Sequence, residues 1–161
     1  MASNGIRDRV AIVGMGCTSF AEHWDKSADD LLVESVGAAY ASAGIEAEQV
    51  DAYWLGTMGF LSGLTLSEPL KIQYKPVTHV ENFCATGSEA IRNACYAVAS
   101  GAYDCVMAVG VEKLKDSGFS GLVVTRPPDD GTAAAMTAPA QFSMLAPAYF
   151  GKYGLDADTG K

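Results

Sequence analysis

The run Tyr103-Asp104-Cys105-Val106-Met107-Ala108-Val109-Gly110-Val111 is almost uninterruptedly apolar, and it constrains the fold more than any other stretch. A strand of alternating polarity can leave one face in water, whereas a strand that is apolar on both faces has to be covered on both. That requirement fits a parallel strand inside a sheet, and parallel strands need crossover connections, usually helices. Just upstream, Cys84 to Ser100 is rich in small residues, with Gly87, Ile91, Ala94, Cys95 and Val98 on one helical face and Gly101 as the stop. A helix this smooth is expected to be buried, and a layered α/β core follows.

The rest of the chain repeats this alternation. Arg9-Val10-Ala11-Ile12-Val13-Gly14 is a short β-branched run ending in glycine, expected to start the sheet as a central strand. Gly14-Met15-Gly16 resembles the opening of a dinucleotide fingerprint, but Ser19 stands at the third glycine position, so a tight turn leaving a strand is the better reading. Ser27 with Asp30 forms a capping signal, and Ala28, Leu31, Leu32, Ser35 and Ala39 trace a helical stripe that stops at Gly44. Val50 to Met58 reads as a second strand feeding a glycine-rich loop, and Ser67 to Tyr74 as a short helix with Pro69 in its first turn. Beyond Glu112 the composition changes. Lys113 to Ala135, with Arg126-Pro127-Pro128-Asp129-Asp130-Gly131, is too long and irregular for a simple connection and is expected to be a mobile or functional loop. Helical spacing returns from Thr137 to Tyr153, where Pro147 is expected to kink or divide it.

The net charge of −8 and the scatter of only eleven Lys and Arg argue against nucleic-acid or membrane partners, both of which select basic patches. The four cysteines form no C-x-x-C pair and only two histidines are present, so no metal site is expected. No charged leader with a long apolar core and no 18-residue apolar run occurs, and the expectation is a reducing, cytoplasmic setting.

The candidate chemistry lies in Val77-Thr78-His79-Val80-Glu81-Asn82-Phe83-Cys84-Ala85-Thr86-Gly87-Ser88-Glu89-Ala90. A β-rich run stops at a cysteine, and Thr86-Gly87-Ser88-Glu89 carries a capping-box pattern for the following helix. A thiol at such a place faces the positive end of a helix dipole and its unpaired first-turn N–H groups, which favour thiolate over thiol. The same N–H groups can stabilise the oxyanion formed when a thiolate attacks a thioester carbonyl. The competing account is a buried small hydrophobe, and it suits Cys95 and Cys105 in their apolar runs; Cys17 has no assigned part. His79 is expected as a strand or interface histidine with a hydrogen-bond partner, Glu89 as the capping-box acid, Asn82 as a turn-shaping residue, and Lys113 and Arg126 as solvated charges.

Asn82-Phe83-Cys84-Ala85-Thr86-Gly87, joining strand to helix, and Ala108-Val109-Gly110-Val111-Glu112, closing the next strand, resemble the thiolase superfamily, most closely its lipid-transfer, sterol-carrier type. The resemblance covers nearly the whole chain. It implies an α/β fold, the thiolase-like N-terminal half, with a five-stranded mixed sheet of order 3-2-1-4-5 and helices on both faces. Residues 1–112 would be that core and 113–161 part of a loop domain with an incomplete following helix. It places the acyl-accepting nucleophile on Cys84 and implies dimerisation through the strand before it; it assigns no substrate-binding residue.

The implied activity is ping-pong acyl transfer between acyl-CoA thioesters through a cysteine acyl-enzyme, with coenzyme A thioester as substrate and no tightly bound cofactor. The family's Gly-His-Pro histidine, a short Asn or His motif before it and a second, proton-handling cysteine have no counterpart here, and neither His23 nor His79 stands in that histidine's context. The expectation is therefore half of a catalytic apparatus, inactive alone, working as a homo-oligomer or with a complementary thiolase half. The alternatives are a thiolase-like aldolase that cleaves CoA-linked side chains with a partner protein, and a non-catalytic thiolase-like subunit.

Overall fold

The computed structural model describes residues 5–59, 62–118, 123–125 and 136–155. The chain divides into two compact units, Met1–Lys113 and Leu114–Lys161.

The first unit is built on a three-stranded parallel sheet. Strands β1 (Ala52–Gly56), β2 (Val77–Val80) and β3 (Val106–Gly110) lie in the order β2-β1-β3. Tyr53 faces Val77 on one side of β1, and Ala52 faces Val106 on the other. The apolar runs at 52–56 and 106–110 thus become neighbouring strands, as their two-sided hydrophobicity predicts. Helix α1 (Ala28–Ala43) starts where Ser27 and Asp30 exchange hydrogen bonds: Ser27 Oγ accepts from Asp30 N–H at 3.1 Å, and Asp30 Oδ2 accepts from Ser27 N–H at 2.8 Å. It stops at Gly44, left-handed at φ 68°, whose N–H donates to the carbonyls of Tyr40 and Ala41. Leu31, Leu32 and Val36 of α1 form one core with Tyr53, Leu55, Val109 and Val111, so α1 covers one face of the sheet.

Helix α3 (Thr86–Ala99) covers the other face. The approach depends on Gly56, where a Cβ would lie 3.0 Å from Thr86 Cγ2 and 3.5 Å from Ala90 Cβ. Its buried residues are Thr86, Ala90, Ala94 and Ala99. Of the predicted face Ala94 is buried and Cys95 and Val98 are half-buried, but in the first half the stripe is one position earlier, with Gly87 exposed and Ile91 51% exposed. Small side chains let the helix lie close to the strand, and the residue with the larger side chain points outward.

Three further expectations change. The run from Arg9 to Gly14 forms no strand, and Ile12 and Val13 are 75% and 65% exposed. It passes along α1 instead, with Gly14 so near that a Cβ there would stand 2.6 Å from Ala43 Cβ, and Gly16 nearer still to Ser35 and Ala39. The strand order expected from the resemblance puts that run between the strands at 50–58 and 103–111, but β1 and β3 hydrogen-bond directly from Ala52↔Val106 to Gly56↔Gly110, leaving no place for it. Among the described residues the sheet has three strands, not five, and all pairs are parallel. The short helix α2 spans Leu64–Ser67, ahead of the predicted Ser67–Tyr74, because Lys71 and Tyr74 take positive φ values of 54° and 58° that no helix accepts.

In the second unit β4 (Val123–Thr125) pairs antiparallel with β5 (Met136–Thr137), and helices α4 (Ala138–Ser143) and α5 (Leu145–Tyr153) follow. The predicted division is present, but it falls at Met144; Pro147 sits in the first turn of α5, where a missing N–H leaves no helical bond unmade. Most of the predicted loop, Arg126 included, lies outside the described residues. No helix among the described residues is long and apolar enough to cross a membrane.

Candidate active site

Parallel strands end together, and open α/β sheets place their sites at the carboxyl ends of those strands. Here that edge gathers the residues after Gly56, Val80 and Gly110. Val111 N–H donates to Gly56 O at 3.4 Å, and Glu112 Oε1 accepts from the N–H of Met58, so the ends of β3 and β1 are bound to each other. His79, half-buried on β2, donates its Nε2–H to Thr57 O at 2.8 Å. Thr57 is fully buried, and its hydroxyl has no hydrogen-bond partner among the described residues.

From Val80 the chain turns sharply into α3. Asn82 has φ −156° and ψ 49°, Phe83 is left-handed at φ 48°, and Phe83–Ala85 form a single 3₁₀ turn before α3 begins at Thr86. Cys84 lies in the middle of that turn and is exposed. Strand, cysteine and helix therefore follow one another as the sequence predicts. Hydrogen bonds frame the turn on both sides: Phe83 N–H donates to Glu81 Oε1 at 2.5 Å, Ala85 N–H to Asn82 O at 3.0 Å, and Asn82 N–H to Thr86 Oγ1 at 2.7 Å.

The predicted capping box does not form. The cap position of α3 is Ala85, without a side-chain bond, and the Thr86 hydroxyl turns back to Asn82 instead of forward to Glu89. Glu89 pairs with Arg92 and accepts from Asn93 Nδ2 at 2.8 Å; these contacts, Arg92 first, hold its carboxyl below the usual range. Sequence reasoning missed Thr86 and Glu112 as structural partners of this edge. Glu112 was visible only as the residue closing the Gly110-Val111-Glu112 motif.

The other cysteines stand apart from this turn in the fold. Cys95 is half-buried in α3, and Cys105 precedes β3 against the core, where burial pushes its thiol up. Exposed Cys17 hydrogen-bonds Thr18 O. His23 meets Ser19 O at 2.8 Å and receives Lys113 Nζ on its own carbonyl at 2.6 Å. Among the described residues no group of three or more His, Cys, Asp and Glu side chains is placed to hold a metal ion. A depression of about 340 Å³ lies between α2 and the start of β2, lined by Gly63, Ile72, Lys75 and Val77, and does not include Cys84.

Comparison with known proteins agrees with this geometry. The thiolase N-terminal domain family matches residues 10–122. An acetyl-CoA acetyltransferase of Methanocaldococcus jannaschii is 36% identical over 91% of this chain and 40% of its own length, and sterol carrier protein 2 of Gallus gallus is 32% identical over 93% and 30%. The chain thus spans about two fifths of the length of the acetyltransferase it matches. Among solved structures, an Ltp2-ChsH2(DUF35) aldolase superposes with a TM-score of 0.67 at 25% identity, covering 89% of this chain and 38% of that one. A 3-oxoacyl-(acyl-carrier-protein) synthase III from Aquifex aeolicus shares the fold at a TM-score of 0.58 and 14% identity, covering 90% and 72%. With the parallel sheet, its covering helices and the family match over most of its length, the chain belongs to the thiolase family, and residues 10–122 are its N-terminal thiolase domain.

Proposed function

We propose that this chain carries the acyl-accepting nucleophile of a thiolase-type acyl transfer between acyl-CoA thioesters, and that Cys84 is that nucleophile. The observation that carries the reading is the exposed thiol in the turn between β2 and α3, at the carboxyl edge of a parallel sheet. The acetyl-CoA acetyltransferase relatives support the substrate class. Cys84 loses its proton to solvent and the thiolate adds to the thioester carbonyl, forming the new carbon–sulfur bond. First-turn N–H groups of α3 support the oxyanion, and its collapse breaks the bond to coenzyme A, which leaves as a thiolate and takes a proton back from solvent. A second thiol or an acyl-CoA carbanion then accepts the acyl group.

The residues that move protons would come from a complementary part of the protein or a second subunit, with the sheet extended beyond three strands and residues 113–161 forming part of a loop domain and an incomplete following helix. A reducing, cytoplasmic setting fits four cysteines that are all free, and assembly as a homo-oligomer is proposed with it.

The likeness to the Ltp2-ChsH2(DUF35) aldolase favours a second reading, C–C cleavage of a CoA-linked side chain with a partner protein. The two separate on one experiment. After incubation of the 161-residue chain with acetyl-CoA, mass-spectrometric mapping is expected to find acetyl on Cys84. Acetyl elsewhere, or on no residue, would sink the nucleophile assignment and leave the aldolase reading in its place.

A further inference from the structure

We propose that Thr86 is a positioning residue for Cys84: its hydroxyl closes the turn that presents the thiol, and its methyl group seats that hydroxyl against the sheet. The proposal rests on the reading of Cys84 as an acyl acceptor.

Thr86 is 8% exposed, and its Oγ1 accepts from Asn82 N–H at 2.7 Å. The ring closed by this bond contains Phe83, Cys84 and Ala85. Asn82 is thereby held at both backbone groups, its N–H by the Thr86 side chain and its carbonyl by Ala85 N–H at 3.0 Å. Within the ring Phe83 is left-handed at φ 48°, a conformation that costs a non-glycine residue about 1 kcal/mol or more and persists only where its surroundings enforce it. The Thr86 hydroxyl spans this residue. Without it Phe83 can relax to an ordinary φ, and that rotation carries Cys84 away from the start of α3.

The methyl group sets the aim of the hydroxyl. A threonine in a helix divides its hydroxyl between two rotamers. Here the choice is fixed from the other side, because Cγ2 packs on Gly56, where even one added carbon would lie only 3.0 Å away. The methyl group occupies the space that the missing Gly56 side chain leaves, and the hydroxyl is turned toward Asn82. Serine keeps the acceptor and loses the seat; valine keeps the seat and loses the acceptor.

The test uses the 161-residue chain as wild type, Thr86→Val and Thr86→Ser, with far-UV circular dichroism to establish folding. Two labels are read by peptide mapping: iodoacetamide on Cys84, with exposed Cys17 as internal reference, and acetyl from acetyl-CoA. For Thr86→Val both labelling rates at Cys84 are expected to drop by about tenfold, in keeping with the cost of sub-ångström misplacement of a reacting group. Cys17 labelling should not change, and Thr86→Ser should recover Cys84 to within about threefold. A folded Thr86→Val that labels Cys84 at the wild-type rate overturns the proposal. Should that variant not fold, hydrogen exchange of the Asn82 amide in the wild-type chain decides the matter, since the clamp requires protection and free exchange overturns it. If wild-type Cys84 takes no acetyl while the iodoacetamide pattern holds, the acyl-transfer reading fails and the clamp stands.

Discussion

The imidazole of His79 donates Nε2–H to the backbone carbonyl of Thr57 at 2.8 Å, tying β2 to the residue that follows β1. A carbonyl oxygen only accepts, so the proton resides on Nε2, and that nitrogen is not available as a base toward Cys84. The bond is structural in what it joins. His79→Ala is expected to lower stability by about 1–2 kcal/mol in urea unfolding, since it strands a carbonyl near the buried end of β1. Iodoacetamide labelling of Cys84 should stay within about twofold of wild type. A tenfold loss of labelling at unchanged stability would assign His79 to the chemistry instead.

Thr57 supplies a test of the opposite sign. Its side chain is fully buried, yet its hydroxyl finds no partner among the described residues. A buried hydroxyl without a hydrogen bond is a net cost, and valine has nearly the same shape. Thr57→Val is therefore expected to be neutral or to stabilise by about 1 kcal/mol, whereas Thr57→Ala should destabilise through the space it leaves. Thermal melts of the two variants check the ordering, and a clear loss in the valine variant would show that the hydroxyl is satisfied in solution.

Acid sensitivity should trace in part to Asp51. Its Oδ2 accepts from the N–H groups of Cys105 and Asp104, each at 3.0 Å, and these bonds hold its carboxyl below the ordinary value of 3.8. A carboxylate whose folded pKa is depressed contributes stability that is fully present above its unfolded value and is lost as pH falls through the lower folded value. The contribution should therefore fade below about pH 4. In Asp51→Asn the stability difference from wild type should be larger at neutral pH than at pH 3. A difference independent of pH over that range would remove ionisation from the explanation.

Local chemistry decided what the sequence could disclose. Helix α1 was legible at both ends because Ser27, Asp30 and Gly44 act on backbone groups a few residues away. The strand–cysteine–helix succession was legible for the same reason, and so was the placement of Cys84 in the connecting turn. Sheet order was not. Whether Ile12 and Val13 or Val106 and Met107 lie beside β1 depends on pairing between distant segments, and a β-branched run is equally apolar with or without a partner strand. The function of Thr86 escaped for a subtler reason. Thr86-Gly87-Ser88-Glu89 satisfies the capping-box pattern, but α3 starts one residue earlier than that pattern requires, and the one-residue difference turns the hydroxyl from Glu89 to Asn82.

The buried face of α3 shows the same limit and can be measured directly. Periodicity puts Ile91 on one face with Gly87, Ala94, Cys95 and Val98; the structure leaves it 51% exposed and buries Ala90 against Gly56. The deciding quantity is the distance from helix to sheet. At 3.5 Å from the Cβ position of Gly56, Ala90 Cβ has no room for added carbons without moving the helix off the strand. In the 161-residue chain Ile91→Lys should therefore change stability by less than about 0.5 kcal/mol, the range of ordinary surface substitutions. Ala90→Leu should cost about 1–3 kcal/mol or more through overpacking and should displace the start of α3, slowing Cys84 labelling as well. If Ile91→Lys unfolds the chain and Ala90→Leu does not, the helix is rotated by one position from the orientation described, and Thr86 with it.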